Sequence, residues 1–216
     1  RIPTQPQTML FSATLDGAVR RLVDRYMHDP VNHEVEAREP TVEEMEHRFL
    51  LVHEMDKVLV VASISRGAAR TLVFCATKRG ADRLVSNLKR EGVKVEAIHG
   101  DLPQGRREQA LARFSTGKLP VLVATDVAAR GLHIDAVDVV VHYDPADDPK
   151  QYLHRSGRTA RAGETGVAVT LMLWNQENVV RTVMRRLGLR EPITEIFSND
   201  PRLRTLRTFD SDPVLT

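Results

Sequence analysis

The sequence has 216 residues, 42% of them hydrophobic and 28% charged, which is typical of a globular chain with one domain and attached segments. No apolar run approaches the ~20 residues that a bilayer-spanning helix needs, so we expect no membrane partner. The 31 basic and 29 acidic residues leave a net charge of only +2. Bulk charge therefore does not indicate a nucleic-acid partner, and any such role must rest on the local placement of arginines.

The first forty residues are set apart from the rest of the chain. The sequence opens with Arg1-Ile2-Pro3-Thr4 and has no start methionine, from which we expect a piece of a longer protein. A short apolar run at residues 9–11 precedes Ser12-Ala13-Thr14, and a helix is predicted over 16–28. The acidic, proline-marked stretch that follows, up to Pro40, is typical of a linker.

From about residue 45, strand and helix patterns alternate. Strands are predicted over residues 46–52, 71–76, 95–98, 121–124, 137–143 and 166–173, and helices over 55–65, 79–90, 103–114, 150–156 and 175–187. Continuous apolar strands separated by helices predict an α/β fold with a mostly parallel sheet covered on both faces. Ligands of such folds gather at the carboxyl ends of the strands. Residues 192–216 have weak periodicity, and we expect them to be a poorly packed extension.

Cys75 is the only cysteine, so the chain cannot form an internal disulfide. It lies in the apolar strand at 71–76 without a partner motif for catalysis, which predicts a small buried side chain. A lone thiol fits a reducing cytoplasm, where we expect the protein to work.

The first segment with potential chemistry runs from residue 97 to 108. A strand ends, Gly100 allows a tight turn, and a proline opens a helix whose first turn holds Gln104 and Arg107 on one face. The free N–H groups and positive dipole of a helix start suit a phosphate. The alternative is a solvated helix start in which Arg106 and Arg107 pair with Glu108.

The second segment runs from residue 123 to 134. A buried strand delivers Thr125 and Asp126 to its carboxyl end, two alanines keep the following turn thin, and Gly131 permits unusual backbone angles. Close approach of a ligand backbone is therefore feasible. Asp126 could also cap a helix, and the two roles are compatible.

The third segment, residues 154–163, holds Arg155, Arg158 and Arg161 around two glycines. Guanidinium forks bind phosphate oxygens through paired hydrogen bonds, and the spacing of three puts Arg158 and Arg161 on one side of a turn. The alternative is a basic loop with solvated side chains.

In this order, the three segments closely resemble the second helicase domain of the DEAD-box RNA helicases. Residues 72–78 resemble motif IV of that family, and His99-Gly100-Asp101 with Gln104 and Arg107 resembles the segment that follows motif IV. Residues 124–134 resemble motif V, and residues 154–163 resemble motif VI. Ser12-Ala13-Thr14 resembles motif III, which closes the first helicase domain. The resemblance implies a RecA-like three-layer fold. It also implies a remnant of the first domain with a linker at 1–40, the helicase C-terminal domain at 41–190 and an extension at 191–216.

The resemblance further implies an ATP-dependent enzyme that unwinds or remodels RNA. In the family, ATP lies between two RecA-like domains, and the N-terminal one holds the phosphate loop and the residues that bind Mg²⁺. The sequence contains neither the phosphate-loop motif nor Asp-Glu-Ala-Asp. ATP and Mg²⁺ are thus the expected cofactors, the N-terminal domain is the expected partner, and the chain is expected to be inactive as an ATPase on its own.

The resemblance assigns a role to individual residues. The residues implied to contact ATP are Arg158 and Arg161, as arginine fingers on the γ-phosphate, with His133 and Asp135. Those implied to contact the RNA backbone are Thr77, Gly100, Gln104, Arg107, Thr125, Asp126 and Gly131. Those implied to couple the two domains are Ser12, Thr14, His154 and Arg155. No metal ligand is implied within the chain.

Two positions depart from the family pattern. His133 occupies the place of an aspartate that contacts the ribose of ATP, so nucleotide contact is expected to be weaker, and Asp135 is the alternative carboxylate. Ala160 replaces the second glycine of motif VI, a small change unless that position needs a positive φ.

Two other functions remain open at this point: a standalone RNA-binding or protein-docking module, and a DNA-directed helicase of the same superfamily. A pair of arginine fingers argues against the module, and the short form of motif V favours the DEAD-box group. If motif III has lost its own sheet, the apolar residues 9–11 should fold back onto the chain or dock on a second copy.

Overall fold

The computed structural model describes residues 7–12, 17–33, 45–129, 134, 137–159 and 166–209. The chain separates into two compact units, Arg1–Arg38 and Glu39–Thr216. The first contains helix α1 (Gly17–Tyr26), somewhat shorter than predicted. Met9, Leu10 and Phe11 are 43% to 86% exposed. Their expected folding back onto the chain or docking on a second copy stays a prediction.

The second unit is built on a seven-stranded sheet in which every pair of neighbouring strands is parallel. The strands are β1 (Met45–Leu51), β2 (Thr71–Cys75), β3 (Val95–Ile98), β4 (Val121–Thr125), β5 (Val139–His142), β6 (Gly166–Met172) and β7 (Ile193–Glu195). Their order is β3-β4-β2-β5-β6-β1-β7. Every residue of β2, β4, β5 and β6 is buried, as expected for strands covered on both faces.

The remaining helices lie on the two faces of this sheet. They are α2 (Lys57–Arg66), α3 (Lys78–Arg90), α4 (Gln104–Ser115), α5 (Asp126–Ala129), α6 (Pro149–Ser156) and α7 (Glu177–Leu187). The core of one face includes residues of α2 and α3, and the cores of the other face include residues of α4, α5, α6 and α7. This is the three-layer RecA-like architecture, and the predicted fold class is confirmed. None of the helices in the described ranges is long and apolar enough to cross a membrane.

Local sequence explains where several helices begin and end. The hydroxyl of Thr77 accepts a hydrogen bond from the Gly80 N–H at 3.0 Å and caps α3. Asp148 caps α6 in the same way, and Pro149 occupies its first turn. Gly188 ends α7 with a φ of 72°, a left-handed conformation that favours glycine.

The C-terminal segment packs well, contrary to expectation. Strand β7 pairs with β1, and two short 3₁₀ turns follow, Pro201–Arg204 and Leu206–Thr208. The side chains of this segment that enter the core are Ile196, Leu203, Leu206 and Phe209. The prediction was wrong because a three-residue strand and single 3₁₀ turns are too short to produce a periodic pattern.

Candidate functional site

The carboxyl ends of β3, β4, β2 and β5 lie side by side in the sheet. Thr77 and Gly100 stand two residues beyond the ends of β2 and β3, and Asp126 directly follows β4. The fold thus brings segments separated by up to fifty residues of sequence to one edge. Thr125, the last residue of β4, is buried, while Thr77 and Gly100 are exposed.

A buried ion pair joins the second and third predicted segments. The Nε of Arg155 donates to Oδ1 of Asp126 at 2.6 Å, and its Nη2 donates to Oδ2 at 2.7 Å. Gln151 donates from its side-chain amide to the same Oδ2 at 3.0 Å. Arg155 is only 2% exposed, so its guanidinium cannot lie on a surface. The helix α5, which begins at Asp126, occupies the place where the sequence predicts a thin turn.

Asp144, just after β5, links this ion pair to two further strand ends. Its carbonyl oxygen accepts from Nη1 of Arg155 at 2.7 Å, and its Oδ2 accepts from the Ala76 N–H at 2.8 Å. The ammonium of Lys57, at the start of α2, lies 3.9 Å from Oδ1 and 4.4 Å from the centre of the Tyr143 ring. Lys57 is 4% exposed, and burial lowers the pKa of its ammonium although Asp144 opposes that shift. The network therefore joins the strand ends of β2, β4 and β5 to the start of α2.

A buried aromatic layer lies beneath the network. The Nε2 of His142 is 3.1 Å from Oγ of Ser156, and its ring stacks on Tyr152 with centroids 4.8 Å apart. The Tyr152 hydroxyl is 2.7 Å from Nδ1 of His47. Burial lowers the pKa of His142 well below its ordinary value, and the nearby Arg155 adds to the shift. His142 is therefore neutral at physiological pH and holds the end of α6 through Ser156.

No sequence motif indicated this layer or the role of Lys57 and Asp144. One signal was available, namely a polar residue, His142, ending an otherwise apolar strand. Cys75 is buried as predicted, and burial raises the pKa of its thiol, in keeping with a packing role.

The start of α4 presents Gln104 and Arg107 together. Nη1 of Arg107 donates to Oε1 of Gln104 at 3.1 Å, and the Gln104 amide donates to Glu108 at 2.9 Å. Nη2 of Arg107 lies 3.5 Å from the Ala128 carbonyl oxygen, a weak contact between α4 and α5. Glu108 is thus bonded to Gln104, and Arg107 reaches Gln104 and α5. The helix start and the segment after β4 form one surface.

Arg158 lies two residues after the end of α6 and is half-buried. Its carbonyl oxygen accepts from the Val137 N–H at 3.3 Å, and the hydroxyl of the buried Thr159 donates to the Val137 carbonyl at 2.5 Å. These bonds fix the backbone that carries Arg158. His154 is half-buried, and Ser12 is exposed. The predicted site residues outside the described ranges are Thr14, Gly131, His133, Asp135 and Arg161.

The described part of the chain brings no group of three His, Cys, Asp or Glu side chains together in a way that could hold a metal ion.

Comparison with known proteins places this geometry in a family. Residues 50–163 match the model of the helicase conserved C-terminal domain. The DEAD-box ATP-dependent RNA helicase CshA of Geobacillus kaustophilus is 40% identical over 199 residues, which cover 89% of this chain and 43% of that protein. The chain therefore spans less than half the length of this relative.

Solved structures agree with the sequence relatives. The structure of S. cerevisiae Dbp5 bound to RNA and ADP BeF3 is similar to this chain with a TM-score of 0.73 and 31% identity. The match covers 94% of this chain and 55% of the Dbp5 chain. The structure of E. coli DEAD-box protein SrmB bound to regulator of ribonuclease activity A is similar with a TM-score of 0.65 and 31% identity. The match covers 74% of this chain and 93% of the SrmB chain. The family model, these relatives and the parallel sheet agree. They show that the chain belongs to the DEAD-box RNA helicase family and carries the helicase C-terminal domain.

Proposed function

We propose that the chain works as the C-terminal half of an ATP-dependent RNA helicase. In this role it holds the RNA backbone on one side of the sheet edge and supplies arginine fingers to ATP on the other. The observation that carries the proposal is the buried network of Asp126, Arg155 and Asp144. It joins the strand ends next to the RNA-facing residues to the helix that leads into Arg158.

The RNA-facing group consists of Thr77, Gly100, Gln104, Arg107, Thr125 and Gly131. Hydroxyl, amide, guanidinium and backbone groups suit phosphate and ribose, and such contacts carry no sequence code. Asp126 has a different role in the proposal. Its carboxylate would repel phosphate, and both of its oxygens already bond to Arg155 or Gln151. We therefore assign it the positioning of motif VI against motif V.

The ATP-facing group consists of Arg158, Arg161, His133 and Asp135. The two arginines would neutralise charge that develops on the transferred γ-phosphoryl group. Binding of the phosphate tail and of Mg²⁺ falls to an N-terminal RecA-like domain, because the sequence contains no phosphate loop. His154 and Ser12 would lie at the contact between the two domains. Hydrolysis therefore requires both domains, and the chain alone should show none.

The test joins this chain to the N-terminal RecA-like domain of a CshA relative and measures RNA-stimulated ATP hydrolysis. The joined protein should hydrolyse ATP, and Arg158→Ala or Arg161→Ala should lower the rate by about 10³–10⁵-fold, the range for arginine fingers in related phosphoryl-transfer enzymes. Arg90→Ala, an exposed arginine at the end of α3, is the matched control and should leave the rate unchanged.

A loss of less than tenfold for both finger variants would remove them from the catalytic role. If the joined protein binds RNA but never hydrolyses ATP, the standalone RNA-binding module becomes the better description.

A further inference from the structure

Helix α7 and the 3₁₀ turn before it (Trp174–Gln176) carry a strip of side chains that the proposed function does not use. Trp174 follows β6 by two residues and so stands at the carboxyl edge of the sheet. It is 82% exposed and is the only tryptophan in the sequence. Arg181 and Arg185 are four residues apart and share one side of α7, and Trp174 opens the 3₁₀ turn that leads directly into this helix. An exposed indole thus precedes a helix that carries a row of guanidinium groups.

The arginines of this strip line a concave surface. A cavity of about 450 Å³ is lined by residues of α7 and of the turn after it, namely Arg181, Met184, Arg185, Gly188, Leu189, Arg190 and Glu191. The charged side chains among them are three arginines, Arg181, Arg185 and Arg190, and one carboxylate, Glu191. Arg181 is held by Glu177 at 2.7 Å, whereas no side chain within the described ranges forms an ion pair with Arg185 or Arg190. A concave surface with unneutralised guanidinium groups attracts anions.

We propose that Trp174, Arg181, Arg185 and Arg190 form a second contact surface for single-stranded RNA. A base stacks on the Trp174 indole, and the arginines bind the phosphates that follow. Proteins that bind single strands combine aromatic platforms with basic grooves in this way. Of the exposed neighbours, Asn175, Asn178 and Thr182 are polar and Val179 is apolar, and this mostly polar surface fits a nucleic acid better than an apolar protein surface.

The position of Trp174 lets one RNA strand reach both surfaces. Three strand spacings separate β4 from β6, so Trp174 stands about 14 Å along the same edge from the end of β4. From there α7 runs back along the sheet and carries Arg181 and Arg185 toward the amino ends of the strands. Helices α6 and α7 contribute to a common core beneath this route, through Tyr152 and Val180. An oligonucleotide of about 16 nucleotides, the upper site size of single-strand-binding folds, is long enough to span that distance. The inference rests on the RNA-binding part of the proposed function and not on ATP hydrolysis.

The experiment titrates the whole chain with a labelled oligouridine of about 16 nucleotides at several salt concentrations. Anisotropy of the label gives the affinity, and the emission of Trp174 reports stacking because no other tryptophan contributes. Wild type should bind with quenching of that emission. Trp174→Ala should weaken binding by about 5- to 150-fold, the range for loss of one stacked base.

Charge variants test the phosphate contacts. Arg185→Gln with Arg190→Gln should weaken binding and lower the slope of log affinity against log salt by about 1.4, two contacts at about 0.7 each. The matched control is Lys94→Gln with Lys118→Gln, which removes the same charge near the amino ends of β3 and β4 and should change the slope little. Glu177→Gln should strengthen binding, because it removes a carboxylate from the strip and releases Arg181. A purely structural helix would show no such gain.

Arg107→Ala separates this inference from the proposed function. It should weaken RNA binding while the quenching of Trp174 at saturation persists. If Arg107→Ala weakens binding but the α7 and Trp174 variants bind like wild type with the same salt slope, the second surface does not exist and the proposed function stands. If wild type binds no RNA under any condition, the proposed RNA function itself fails.

Discussion

Charged side chains at the carboxyl edge are held inside the protein. The guanidinium of Arg155 is bonded to Asp126 and Asp144, and its central carbon lies 5.4 Å from the centre of the Phe74 ring. Burying an ion pair costs desolvation of both partners, so the pair itself adds little stability. Removing one partner is different, because the other charge is then left buried without compensation. The network therefore fixes the positions of these side chains, and we expect a large loss of stability only when one of its charged partners is removed.

Asp126→Asn tests this reasoning. The amide can still accept a hydrogen bond but no longer balances the charge of Arg155. We expect a loss of about 2–3 kcal/mol in the free energy of unfolding, below the 3–5 kcal/mol of fully buried pairs because the Asp126 side chain is 23% exposed. Urea unfolding gives the value. Asp82→Asn, an exposed carboxylate beside His99, should cost less than about 0.5 kcal/mol.

His142 makes stability depend on pH. Burial holds the pKa of its folded imidazole well below 6.5, whereas the unfolded chain titrates near 6.5. Below pH 6.5 the unfolded state binds more protons than the folded state, so stability falls as the pH decreases and is fully present above that value. His142→Asn should flatten the fall in stability below about pH 6.5, measured by thermal unfolding. His53→Asn, at an exposed site, should leave the slope of wild type unchanged, and an equal slope for both variants would contradict the assignment.

At the scale of elements, the C-terminal segment belongs to the core of the domain. The backbone N–H and hydroxyl of Ser198 bond to the Asp56 carboxylate at 2.5 and 2.6 Å, which fastens the segment to the start of α2. The guanidinium carbons of Arg48 and Arg202 lie 5.8 and 4.9 Å from the centre of the Phe209 ring. The start of α2 is also where Lys57 joins the buried network. The C-terminal segment therefore helps to hold Lys57 in place.

Leu203→Ala measures this contribution. Leu203 is fully buried, so we expect a loss of about 2–5 kcal/mol in the free energy of unfolding from lost transfer energy and the cavity left behind. Phe197→Ala removes a larger side chain from the same segment, but that side chain is 57% exposed, and the cost should stay below about 1 kcal/mol. Equal costs for the two variants in chemical unfolding would mean that the segment does not stabilise the domain.

Much of the fold could be predicted from the sequence, because long apolar strands and amphipathic helices have periods of their own. The short elements α5 and β7 could not be predicted, since four and three residues contain no full period. For the site, the motif order located the strand ends and the arginines. The pairing of Lys57 with Asp144 was hidden, because their encounter depends on strand order in the sheet and not on any local pattern.

At the scale of the whole molecule, the first unit presents apolar surface to solvent. Phe11 is 86% and Met9 68% exposed, and burying three such side chains is worth about 4–8 kcal/mol of transfer free energy. This surface favours self-association through residues 9–11.

Light scattering across a dilution series compares this chain with one that begins at residue 41. We expect only the longer chain to self-associate as concentration rises. If both give the same mass at every concentration, residues 9–11 do not form a contact between copies. If only the longer chain self-associates, the first forty residues form the contact between copies.

The position of β1 has a consequence for synthesis on the ribosome. Strand β1 is the first strand of the sheet to be synthesised, yet it lies between β6 and β7, the sixth and seventh strands in chain order. At typical elongation rates the interval between Leu51 and Gly166 lasts on the order of ten seconds. During that time Phe49 and Leu50, almost completely buried in the finished domain, have no strand to pair with. The nascent chain therefore offers an apolar strand to chaperones until β6 emerges, and the sheet of this domain closes late in its own synthesis.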